Sequence, residues 1–81
     1  MKLINIGFGN LINSDKILTV LSPDSAPAKR IISEAKAQKR LIDATQGRKT
    51  ESVIITDSDH IVLSYLHSED ILNRNNQTKE G

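Results

Sequence analysis

The stretch Ser22–Arg40, S-P-D-S-A-P-A-K-R-I-I-S-E-A-K-A-Q-K-R, constrains the fold more than any other, because it is the one place where a long helix can form. Ser25 suits the N-cap, where its hydroxyl can accept from an orphan backbone N–H of the first turn. Pro27 is tolerated that early, and Asp24 puts negative charge at the positive end of the helix dipole. Ala28, Ile31, Ile32 and Ala35 follow the i, i+3, i+4, i+7 spacing of one buried face. Lys29, Ser33, Lys36 and Arg40 fall on a stripe roughly 120° away. One side of this helix is built for a sheet. The other is basic, and such a stripe taken alone reads as a solvated face.

The rest of the chain reads as short strands. Leu3–Ile6 is a strand, Gly7-Phe8-Gly9-Asn10 a glycine-rich turn, and Leu11–Ile12 a second strand. Ile17–Leu21 is a third strand, closed by Pro23. Leu41–Ala44 is a brief strand running into the polar connection Thr45–Thr50. Ser52–Thr56 and Ile61–Ser64 form a hairpin about the turn Asp57–His60, and Ser68 can cap a short second helix. From Arg74 onward there is nothing to bury, so the expected organisation is one domain over residues 1–73 and a disordered polar tail over 74–81. Ile17-Leu18, Val20-Leu21, Val53-Ile54-Ile55 and Ile61-Val62-Leu63 are continuous apolar runs rather than alternating ones, as in strands buried on both faces. One helix covers one face of such a sheet, so the other is expected to meet a second copy of the chain or a partner, with self-association the inference. Eighty-one residues without cysteine have no disulfide or thiolate metal site to lean on, which points the same way. No apolar run reaches the roughly 20 residues needed to span a bilayer, and the N-terminus carries no signal-peptide pattern. Cytoplasmic residence is the expectation.

The net charge of +1 hides a strong polarity. From residue 29 to 51, Lys29, Arg30, Lys36, Lys39, Arg40, Arg48 and Lys49 face only Glu34, Asp43 and Glu51, whereas Asp57, Asp59, Glu69 and Asp70 lie in a stretch free of Lys and Arg. Such a molecule can be basic on one surface. Arg48 and Lys49 follow Gly47 in an exposed connection, and Lys16 sits beyond another turn, where each can reach a phosphate. With Phe8 and Tyr65 the only aromatic residues, a base-stacking single-strand surface is disfavoured, and contact with a duplex backbone is the mode to expect. Other constellations fail. Gly7-Phe8-Gly9 begins like a dinucleotide fingerprint, but Ile12 stands where the third glycine belongs. Asp57-Ser58-Asp59-His60 lacks the remaining ligands of a calcium loop, and one histidine is too few for zinc. His60, His67 and the serines come with no nucleophile elbow. Neither metal, cofactor, small-molecule substrate nor catalysis is expected.

Five ordered blocks then make a resemblance: I-N-I-G-F-G-N at 4–10, S-P-D-S-A-P at 22–27, K-R-I-I at 29–32, D-A-T-Q-G-R-K-T at 43–50 and V-I-I-T-D-S-D-H at 53–60. Together they resemble the RemA family of extracellular matrix regulators. The resemblance implies a small bacterial DNA-binding protein that assembles into rings and switches on biofilm-matrix genes. It places the family's DNA-contacting arginines at Lys16 and Lys49, beside a retained Arg48, and its functional proline at Pro27. Lysine keeps the charge there but loses the planar fork of arginine. Glu51 stands where the family often has a basic residue. The expectation is therefore an α+β domain with a small, mostly antiparallel sheet of about five strands, one main helix and a short C-terminal helix. It is expected to assemble as a homo-oligomeric ring larger than a dimer, with Pro27, Ile31 and Ile32 in structural or assembly roles. Its function would be transcriptional regulation through duplex phosphate contacts by Lys16, Arg48 and Lys49, with Lys29 and Arg30 adding charge. The alternative is a structural or protein-interaction ring whose basic face binds an acidic partner or RNA.

Overall fold

A computed structural model describes the backbone of residues 2–78 and the side chains of residues 2–74. In chain order the elements are β1 (Leu3–Asn5), β2 (Leu11–Asn13), a single 3-10 turn (Ser14–Lys16), β3 (Ile17–Leu21), α1 (Ala26–Ala37), β4 (Leu41–Asp43), β5 (Ser52–Thr56), β6 (Ile61–Ser64) and α2 (Ser68–Thr78). The class is α+β as expected, but the strands divide between two sheets. β1 and β2 form a separate antiparallel ribbon, and the main sheet has the order β3-β5-β6-β4. β3, β5 and β6 run antiparallel, whereas β4 pairs parallel to β6, with Leu41, Ile42 and Asp43 opposite Ile61, Val62 and Leu63. That parallel pair follows from the chain's path. α1 carries the chain from the far end of β3 back along the sheet, so β4 must start where β6 starts.

Helix α1 begins as its sequence dictates. Ser25 Oγ accepts from Ala28 N and donates to the Ser22 carbonyl, with Pro27 second in the helix. It stops three residues short of Arg40. Lys39 turns left-handed at φ 58°, its N–H bonding Lys36 O while Arg40 N–H bonds Ala35 O at 2.8 Å. This is a Schellman ending with lysine where glycine is usual. Arg40 therefore leaves the basic stripe, and its guanidinium turns to the Asp59 carbonyl and the Gln38 side chain.

The buried runs of β5 and β6 have both faces covered within one copy. Val53, Ile61 and Leu63 pack with Ala28 and Ala35 of α1, with half-buried Leu21, Ile31, Ile32, Leu41 and Ile55 around them. On the opposite face Ile54 and Val62 pack with Ile4, Ile6, Ala44, Leu66 and Ile71, so the β1–β2 ribbon and α2 close that side. The expectation that this face must await a second copy is thereby overturned. The residues that cover it, Ile4, Ile6 and Ile71, sit in segments whose sequence reads as further sheet and a minor helix. A single copy leaves apolar side chains exposed on the ribbon (Leu3, Leu11), on α2 (Leu72) and on both edge strands of the main sheet. β3 bulges between Ile17 and Thr19, and Leu18 there is 67% exposed, while Ile42 on β4 is 48% exposed.

Ser68 is the first helical residue of α2 rather than its cap, and the His67 carbonyl accepts from Asp70 and Ile71 N–H. The helix runs to Thr78, so residues 74–78 of the expected tail are helical. Arg74 donates to the Asn5 carbonyl and ties α2 to the ribbon. Residues 79–81 of that tail lie outside the described residues. Among those described, no helix is long and apolar enough to cross a membrane.

Candidate nucleic-acid interface

The connection from β4 to β5 is a built loop. Asp43 accepts from the Thr45 hydroxyl at 2.6 Å and from Thr45 N–H at 2.9 Å. These two bonds, the hydroxyl's first, hold the Asp43 carboxyl below the ordinary aspartate range. Thr45 is buried, and its carbonyl accepts from Arg48 N–H at 3.0 Å across Gln46 (φ 53°) and Gly47 (φ 82°). Two successive left-handed residues make this a turn of the I′ pattern, a tight reversal of the chain. Arg48 and Lys49 leave that turn exposed.

The Arg48 guanidinium carbon lies 5.8 Å from the Phe8 ring centre and 5.7 Å from that of Tyr65, while the two rings are 4.9 Å apart and tilted by 41°. Phe8 reaches this place from the tip of the β1–β2 ribbon in a left-handed conformation (φ 54°), which costs a side-chain-bearing residue about 1–2 kcal/mol. Gly7 beside it, at φ 117°, has no room for a Cβ, which would overlap the Tyr65 ring. The ribbon tip is fastened by Asn5 Oδ1 accepting from Gly7 N–H and by Asn10 Nδ2 donating to the Gly7 carbonyl. The glycines that read as a dinucleotide fragment thus shape a turn around an aromatic pair. Phe8 and Tyr65 were legible only as residue types, since nothing in their spacing announces that they meet.

Lys49, 80% exposed in its side chain, stands 3.9 Å from Glu51 Oε1, and the other oxygen of Glu51 lies 3.3 Å from His67 Nε2. The negative charge next to the basic pair therefore faces both the Lys49 ammonium and the His67 ring. Arg48 makes no ion pair among the described residues.

The expected basic residues do not all converge. Lys16 closes the 3-10 turn, pairs with Asp57 at 3.9 Å and gives its carbonyl to Asp57 N–H. It therefore sits where β5 ends, whereas Arg48 and Lys49 sit where β5 begins, about 17 Å away at 3.3 Å per residue of strand. Lys29 and Arg30 lie exposed in the first turns of α1, which starts at the end where β3 finishes opposite Val53. They share the Arg48 end of the sheet but stand on its other side. Pro27 is exposed beside them, while Ile31 and Ile32 pack half-buried against the sheet. Asp57–His60 is the β5–β6 turn, stitched by Thr56, Ser58 and His60 to one another. No group of three His, Cys, Asp or Glu among the described residues could hold a metal.

The chain matches the family model described as extracellular matrix regulatory protein A-like over residues 3–74. It is 59% identical over 80 residues to a protein of Thermoanaerobacter sp. strain X514, covering 99% of this chain and 83% of that one. It is 61% identical over 74 residues to one of Dictyoglomus turgidum (91% and 87% covered), and 56% identical over 81 residues to one of Acetivibrio thermocellus (100% and 86% covered). All three relatives carry the name "Putative regulatory protein". On a match spanning both sheets and α1, the chain belongs to the RemA-like family of extracellular matrix regulatory proteins.

Proposed function

We propose that this regulatory protein binds duplex DNA by its phosphate backbone and works as a homo-oligomeric ring in the bacterial cytoplasm, acting on matrix genes. The observation that carries the reading is Arg48. It projects from a tight, hydrogen-bonded turn, with Lys49 beside it, and lacks an ion-pair partner among the described residues. An arginine so placed is ready to grip a phosphate with two parallel N–H donors. Each copy offers few such contacts. Lys16, Lys29 and Arg30 lie apart from the loop, so affinity has to be summed over several copies on one duplex. The ring is supported by the two open edges of the main sheet. β3 with Leu18 and β4 with Ile42 are opposite edges, and joining unlike edges head to tail generates a closed ring when the rotation closes. The test is a titration of the native particle with duplex DNA, RNA and an acidic protein at several salt concentrations. Duplex binding that weakens steeply with salt, by a particle several times the chain's mass, is expected. Preference for RNA or the acidic protein, or a monomer that binds duplex equally well, would overturn it.

A further inference from the structure

The chain has two aromatic residues in total, and both meet the same arginine. From this we infer that Phe8 and Tyr65 are positioning residues that hold the Arg48 guanidinium ready for phosphate, an inference that rests on the duplex reading above. Three independent features build the clamp. Phe8 is held in a left-handed conformation that an aromatic residue seldom adopts, and such strain persists only where surrounding structure enforces it. Gly7 is stripped of any Cβ, so that the Tyr65 ring can lie against its backbone. Phe8 is 47% exposed although it belongs to the ribbon that covers the sheet, so its ring is spent on the arginine rather than on the core. A guanidinium against ring faces keeps its in-plane N–H donors free to bind an oxyanion. The free side chain would otherwise lose its rotamer freedom on contact with DNA, and a clamp removes that loss beforehand.

The test is a double-mutant cycle with Phe8→Leu and Arg48→Ala, run on the native particle. Chemical shifts of the Arg48 side chain in labelled protein are read alongside. Leucine keeps an apolar side chain at an exposed position, and Phe8→Tyr, which restores a ring, serves as the rescue. Phe8→Leu is expected to weaken duplex binding by about two- to fivefold for each engaged Arg48, the size of an exposed cation–π contact. The salt slope should stay as in wild type, because no charge is lost. The same change made in the Arg48→Ala background should cost nothing further. The Arg48 side chain should carry a ring-current shift that Phe8→Leu diminishes and Phe8→Tyr retains. An equal loss of affinity in the Arg48→Ala background would overturn the clamp, as would an Arg48 signal that Phe8→Leu leaves unmoved. A wild-type particle that binds no duplex sinks the proposed function instead, and the clamp is then decided by the ring-current shift alone.

Discussion

At the scale of single residues, the loop that carries Arg48 depends on two carboxylates with different tasks. Glu51 faces Lys49 and His67 and lowers the positive potential next to the proposed phosphate site. Glu51→Arg removes that charge and adds its opposite, so duplex affinity should rise and the salt slope steepen by roughly 0.9 for each phosphate contact added, as a titration series would read. Asp43 instead fastens the turn through Thr45. Its carboxyl is depressed in the folded state, so its contribution is present above the unfolded aspartate value and is lost as pH falls through the depressed one. Asp43→Asn should therefore lower stability at neutral pH and flatten the acid limb of a stability–pH curve, which denaturant melts across pH would show. Much of this site was legible as residue types: G-R-K after a strand announced an exposed basic turn. The aromatic pair was not, because Phe8 and Tyr65 lie 57 positions apart and only the folded ribbon brings them together.

At the scale of elements, patterns with a local cause came through and those set by tertiary path did not. Ser25, Pro27 and the spacing of Ala28 and Ala35 announce α1, and the apolar runs of β5 and β6 announce strands buried on both faces. The end of α1 was hidden, because its stop signal is a lysine in the place where glycine normally advertises it. That same residue carries a backbone cost, so Lys39→Gly should stabilise the domain by about 1 kcal/mol, measurable as a rise in thermal midpoint. The parallel direction of β4 was equally hidden, since three residues of strand hold no record of which neighbour they pair with. So was the second layer. Ile4, Ile6 and Ile71 carry no periodicity that separates a covering ribbon and helix from another strand of the same sheet.

At the scale of the whole molecule, covering the second face within one copy moves the argument for assembly from a sheet face to the sheet edges. Leu18, on the bulge of β3, is the most exposed of the large apolar side chains and the one whose burial by a neighbour is tested first. Leu18→Lys puts a charge on that edge while leaving both core clusters intact. It should yield a folded particle of lower mass in sedimentation, whereas an unchanged mass would place the contact elsewhere. In the proposed ring, each weak phosphate contact would be multiplied by the number of copies engaged. The phosphate grip of Arg48 is decided by the salt dependence of duplex binding by Arg48→Ala compared with wild type, taken at equal particle mass. Affinity should fall much further than one exposed charge would give, equally on related and unrelated duplexes, with the slope reduced by roughly 0.9 for every Arg48–phosphate contact removed. An Arg48→Ala particle that binds as tightly as wild type with an unchanged slope would contradict that grip.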